Sequence, residues 1–67
     1  MVEIITSTMV NRGRTEHTYT GTARLDDVTQ KKTIIDLLDG NNFGGYVDVY
    51  ETDEKNVYTF NATVYID

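Results

Sequence analysis

Very few side chains in this sequence could take part in catalysis. His17 is the one histidine of the 67-residue chain, and the chain has no cysteine. A nucleophilic triad would need His17 beside a hydroxyl and a carboxylate, and the spacing shows no such pattern. The carboxylate pairs Asp26–Asp27 and Asp53–Glu54 fit a helix N-terminus and a solvated turn better than an acid–base pair. We therefore predict no catalytic residues and a protein that is not an enzyme.

Oxygen ligands for a cation cluster after the helix-like run, without the spacing of a calcium loop. Asp36, Asp39, Asn41 and Asn42 do not follow the twelve-residue EF-hand pattern, and no glutamate closes such a loop. Gly44–Gly45 lacks the lysine-bearing motif and the following helix of a phosphate-binding loop. We predict no metal site and no cofactor.

The better candidate for a functional surface is aromatic and acidic. Tyr46, Asp48 and Tyr50 alternate in sequence, which places them on one face of a strand, and Tyr65 lies on the matching face of the last strand-like run. Tyrosine offers a large contact area with a polar tip and is enriched at interfaces. We predict that these four residues form a docking patch for a protein partner. The alternative is that tyrosine and threonine are simply good strand formers that stabilise an exposed sheet.

Charge is divided unevenly along the chain, whose net charge is −5. Residues 1–32 contain five basic and four acidic residues, whereas residues 33–67 contain one basic and seven acidic residues. The acidic half would repel nucleic-acid phosphates and would suit a basic protein surface. We therefore expect a protein partner and no nucleic acid; the alternative is that the charge serves solubility alone.

Four strand-like runs and one helix-like run must position the docking patch. The strands are predicted, from period-2 alternation, at Val2–Val10, Thr15–Leu25, Tyr46–Thr52 and Val57–Ile66. In the second strand the odd-numbered residues, and in the fourth the even-numbered residues, are predicted to face the core. The first strand has apolar residues on both faces, with Ile4 and Met9 on opposite sides, which predicts a central position.

Turn and cap residues predict where these elements begin and end. Gly13 is predicted in the left-handed conformation of a bulged hairpin turn. The helix is predicted to begin at Asp26 or Asp27, with Asp27 and Gln30 as a capping box, and to run for about twelve residues. Gly40 is predicted to end it as a left-handed residue.

This order predicts an α+β fold: a single four-stranded mixed sheet with one helix packed on one face, in ββαββ order. The length allows one domain, residues 1–67. The layout, with parallel first and fourth strands at the centre, resembles the β-grasp immunoglobulin-binding domain of streptococcal protein G. The second hairpin, Tyr46 to Val64, carries the resemblance through alternating aromatics around an acidic turn that contains Lys55. The resemblance implies a fold and no function.

The N-terminus lacks the basic and apolar regions of a signal peptide, and the chain lacks a long apolar run. Together with the absence of cysteine, this predicts a cytoplasmic protein that does not enter a membrane. The sequence thus favours a small acidic protein-binding module, such as an accessory or inhibitor protein of a phage or plasmid. The alternative is a self-assembling structural protein, for example a homodimer, joined through the open sheet face or through an edge strand at Thr15–Leu25 or Tyr46–Thr52.

Overall fold

One antiparallel sheet of four strands and a short helix make up the computed structural model, which describes residues 1–66. In chain order the elements are β1 (Glu3–Arg12), β2 (Glu16–Arg24), a 3-10 turn (Val28–Gln30), α1 (Thr33–Leu38), β3 (Gly45–Glu51) and β4 (Val57–Tyr65). In space the strands lie in the order β1-β2-β4-β3, and every neighbouring pair is antiparallel. The predicted single sheet with one helix is confirmed, and the predicted mixed sheet is wrong.

The two central strands are β2 and β4, so the predicted protein G-like arrangement, with β1 and β4 central and parallel, is wrong. The inner face of β4 carries Phe60, Ala62 and Val64, each at most 2% exposed, and on the same sheet face Ala23 of β2 is fully buried. Most residues of β1 are exposed. The apolar inner face of β4 suits a central position, and antiparallel pairs are slightly more stable than parallel ones. The spatial layout therefore differs from the predicted ββαββ arrangement.

Two bulges interrupt the pairing of β1 with β2, one after Ile4 and one after Met9. Each bulge adds one residue to β1 and so reverses the alternation of its side chains. Because the first bulge lies between them, Ile4 pairs with Ala23 and Met9 pairs with Tyr19, both on the inner face. The prediction that Ile4 and Met9 face opposite sides is wrong for this reason.

The core lies between the inner sheet face and the segment that contains α1. Its buried side chains are Ala23, Leu25, Ile34, Ile35, Val47, Phe60, Ala62 and Val64. The inner-face predictions for β2 and β4 are thereby confirmed. From α1 the core receives Ile34 and Ile35, whereas Leu37 stays 51% exposed.

The segment predicted as one helix of about twelve residues is divided. The predicted capping box is confirmed: Asp27 accepts a hydrogen bond from the Thr29 amide (2.9 Å), and Gln30 accepts from the Asp27 amide (3.4 Å). The box begins the 3-10 turn, and α1 follows only at Thr33. The helix then ends at Asp39, whose backbone is extended (φ −154°).

Two glycines predicted to be left-handed are not. Within residues 1–66 the glycines with positive φ are Gly44 and Gly45. Gly13 closes its turn by donating its amide to the Glu16 carbonyl (2.8 Å). At the end of α1, the side chain of Asn42 donates a hydrogen bond to the Asp39 carbonyl (2.6 Å). That carbonyl therefore has a partner without a left-handed Gly40.

Candidate functional site

The outer sheet face, which points away from α1, carries rows of aligned polar side chains. The strand registers align three rows across the sheet, from β3 to β1: Tyr50, Thr59, Thr22 and Thr6; Asp48, Asn61, Thr20 and Thr8; Tyr46, Thr63, Thr18 and Asn11. Aromatic and acidic residues thus occupy the β3 side of the face, and threonines occupy the centre. Cross-strand threonine and tyrosine pairs stabilise such a surface.

The structure brings the four predicted binding residues together on the β3 side of this face. Tyr46 and Tyr50 are 56% and 51% exposed, and Asp48 lies exposed between them. Tyr65, on β4, is 39% exposed. Its ring lies 6.3 Å from that of Tyr46 at an interplanar angle of 64°, an edge-to-face pair that orients both rings. We call these four residues the tyrosine patch; its role in binding stays a prediction.

Two glycines fix the entry of the chain into β3 and so position Tyr46. Gly44 and Gly45 have φ angles of 97° and 149°. The Gly44 carbonyl accepts a hydrogen bond from the Tyr65 amide (2.9 Å). A Cβ atom on Gly45 would lie 2.0 Å from the Thr63 carbonyl oxygen, so only glycine permits this approach of β3 to β4.

Phe43 is an exposed aromatic residue beside the tyrosine patch that the sequence interpretation missed. Its side chain is 71% exposed, and its amide donates to the Tyr65 carbonyl (2.7 Å). The missed signal is an aromatic residue placed between polar Asn42 and flexible Gly44, outside any alternating run. The backbone of Phe43 thus lies beside Tyr65, at the end of β3 where Tyr46 and Tyr65 meet.

Acidic residues flank the other end of β3, at the turn into β4. Glu51, Asp53 and Glu54 are exposed there, and Glu54 lies 4.0 Å from the Arg24 guanidinium. The Thr52 hydroxyl organises the turn by accepting from the Glu54 amide (3.2 Å). A cavity of about 310 Å³ at this turn is lined by residues 51–58. Its mostly polar lining differs from the apolar lining typical of small-molecule sites.

His17 and the paired carboxylates lie apart from the tyrosine patch. His17 is half-buried on the inner face, with its ring 6.4 Å from that of Tyr19, and its Nδ1 has no hydrogen-bond partner among residues 1–66. Asp27 caps the 3-10 turn, as its sequence context predicts. Within residues 1–66, no group of three histidine or acidic side chains could hold a metal ion. The absence of enzymatic activity stays a prediction.

No protein-family model, curated protein or solved structure matches the chain. Across residues 1–66, no helix has the length and apolar character needed to cross a membrane.

Proposed function

We propose that this chain is a small protein-binding module that docks a basic partner surface through Tyr46, Asp48, Tyr50 and Tyr65. The observation that supports this proposal most is the grouping of three exposed tyrosines around one exposed carboxylate on a single sheet face. A surface of this composition has the aromatic contact area and the charge that recognition of a basic segment requires.

Two tyrosines and the carboxylate of the tyrosine patch would contribute different interactions with the partner. The ring faces of Tyr46 and Tyr50 can receive lysine or arginine side chains through cation–π contacts, worth about 0.5–1 kcal/mol at exposed sites. Asp48 supplies the opposite charge between them, and the acidic turn at residues 51–54 extends the negative potential. Because these charges are exposed, salt would screen them, and we expect affinity to fall as ionic strength rises.

The proposal includes a cytoplasmic location, which the absence of cysteine in the sequence favours. It also includes an accessory or inhibitor role of the kind found in phages and plasmids. One version of an inhibitor imitates the charge of DNA and blocks a nucleic-acid enzyme. That version requires competition with DNA for the partner, so a partner complex that DNA does not displace at low salt would exclude it.

A second candidate function is self-assembly into a homo-oligomer. The observation in its favour is that, within residues 1–66, no strand pairs with the outer edges of β1 and β3, and Tyr46 and Tyr50 are exposed on the outer sheet face. The net charge of −5 opposes association of identical copies. Sedimentation at high micromolar concentration separates the two candidates, because a monomer there contradicts self-assembly.

The test of the binding proposal is capture of a partner from source-cell lysate by wild type and by Tyr46→Ala/Tyr50→Ala. A matched control is Thr6→Ala/Thr8→Ala, which alters two exposed residues on the same face at the opposite strand, β1. Circular dichroism must first show that both variants are folded. Loss of one partner in the tyrosine variant alone supports the proposal, and equal capture by all three proteins contradicts it.

A further inference from the structure

Every second residue of β3 directs its backbone N–H and C=O groups away from β4. In an antiparallel pair, residues that exchange hydrogen bonds alternate with residues that do not. The Tyr65 amide donates to the Gly44 carbonyl (2.9 Å), which sets the phase of the ladder. Tyr46 and Asp48 therefore bond to β4, whereas Val47 and Val49 direct their backbone groups to the free edge.

The pairing on the other side of β4 gives the same phase. The Leu25 amide donates to the Asn56 carbonyl (2.9 Å), and the Ile66 amide donates to the Thr15 carbonyl (2.9 Å). Even-numbered residues of β4 thus form their backbone hydrogen bonds with β2, and odd-numbered residues of β4 form theirs with β3. Within residues 1–66, no element pairs with the outward groups of β3.

The two edges of the sheet differ in how well they could accept another strand. The pairing of β1 contains two bulges, a common device by which proteins blunt an edge. The seven residues of β3 pair with β4 in continuous register. The sequence of β3, GYVDVYE, also lacks the lysine and proline that protect edges. The edge of β3 is therefore better suited than the edge of β1 to accept another strand.

We infer that the β3 edge binds an extended basic segment of a partner protein, which adds to the sheet as a fifth strand. The inference rests on the proposed function and adds the form in which the partner is held. Backbone bonds to Val47 and Val49 would align the segment, as in other cases of strand addition. Its alternate side chains would then lie on the outer face next to Tyr46, Asp48 and Tyr50. Lysine or arginine at those positions matches this acidic, aromatic edge.

A second copy of the chain fits the same edge less well. Antiparallel pairing of two β3 strands over their full length would place Asp48 directly opposite Asp48 of the other copy. Like charges directly opposite each other destabilise a strand pair. Both copies also carry a net charge of −5. A basic segment avoids both the contact between the two Asp48 carboxylates and the repulsion between like net charges.

The first arm of the test uses synthetic peptides. The probe is a fluorescent nine-residue peptide of alternating lysine and valine, measured by anisotropy against the full chain at low salt. One control replaces lysine with glutamate, and a second keeps every side chain but carries N-methyl groups on alternate backbone amides. We expect the basic peptide to bind and both controls to lose at least about tenfold in affinity, since several backbone bonds are removed together.

The second arm changes the protein. Val49→Pro removes one outward N–H without removing a bond to β4, and Val49→Ala is the matched control for the lost, partly buried side chain. We expect the proline variant to bind the basic peptide about fivefold more weakly than the alanine variant, the value of one net hydrogen bond. Thermal melts must show that both variants are folded.

The outcomes separate this inference from the proposed function. Equal binding of the basic peptide and its N-methylated form would overturn strand addition and leave face docking through the tyrosine patch intact. If the basic peptide fails to bind while partner capture still depends on Tyr46 and Tyr50, strand addition is likewise overturned and face docking stands. A stable dimer of the chain that the basic peptide cannot displace would also overturn the inference.

Discussion

Replacing Gly45 with alanine is expected to loosen the start of β3 from β4 and to destabilise the domain. The new Cβ atom would lie 2.0 Å from the Thr63 carbonyl oxygen, and 3.1 Å from the Thr63 carbonyl carbon. Both neighbours are backbone atoms, so a side-chain rotation cannot relieve the clash. The φ angle of 149° is also one that alanine rarely adopts.

The loss of unfolding free energy in Gly45→Ala follows from the steric clash and from the backbone strain. Overpacking costs about 1–3 kcal/mol, and strained backbone costs about 1–3 kcal/mol. One displacement of β3 relieves both, so we expect a total of about 2–4 kcal/mol rather than their full sum. A core of this size supplies only about 3–5 kcal/mol. The substitution should therefore lower the melting temperature by about 10–30 °C.

Urea denaturation followed by circular dichroism would measure the change. Gly40→Ala is the matched control, because its Cβ would meet no atom within 4 Å and its φ is not positive. We expect the control to remain within about 0.5 kcal/mol of wild type. A Gly45→Ala variant as stable as the control would refute the close approach of β3 to β4 at this point.

Three further experiments test other parts of the fold. Phe60→Ala empties a site that is 2% exposed and should cost about 3–5 kcal/mol, enough to unfold the chain; retention of dispersed amide signals in a proton–nitrogen spectrum would contradict this. Asp27→Ala removes the capping box and should lower the free energy of unfolding by about 1 kcal/mol in urea melts, and an unchanged midpoint would count against the cap. A double-mutant cycle of Tyr46→Leu and Tyr65→Leu should give a coupling energy of about 0.5–1.5 kcal/mol, whereas strict additivity would mean that the rings do not interact.

The faces of the central strands could be predicted from the sequence because their alternation is uninterrupted. In β4, the even-numbered residues Phe60, Ala62 and Val64 are buried, as the period-2 pattern predicts. The same rule places Tyr46 and Asp48 together on the outer face. This part of the candidate site is a local property of the strand, so it does not depend on which strands are neighbours.

Strand order could not be predicted from the same pattern. Alternation states which face of a strand is buried and leaves open which strand lies beside it. In β1, apolar residues at both odd and even positions suggest burial on both sides, but a bulge after Ile4 brings Met9 to the same face. A bulge has no unique sequence signature, so the apparent two-sided pattern led to a central position for an edge strand.

The length of the helix could not be predicted for a related reason. Apolar residues from Val28 to Leu38 fit a helical period, but they do not determine whether the backbone between them is continuous. Lys31 and Lys32 form a turn between the 3-10 segment and α1. Short helices depend on tertiary packing for most of their stability. Since Ile34 and Ile35 supply the buried contacts, the rest of the segment need not be helical.

The order β1-β2-β4-β3 allows the chain to fold as two hairpins that then dock. Strands β1 and β2, and strands β3 and β4, are adjacent in sequence, so each pair can close as a hairpin in about 1–10 μs. Among the strand pairs that the structure describes, only β2–β4 joins residues far apart in sequence, such as Arg24 and Val57. The chain also has no proline, so no prolyl isomerisation delays it. Refolding in stopped-flow experiments should therefore show one phase, limited by docking of two hairpins. Substitutions along the β2–β4 seam should slow that phase, and substitutions that weaken the β1–β2 hairpin should slow it too, because both hairpins form before they dock.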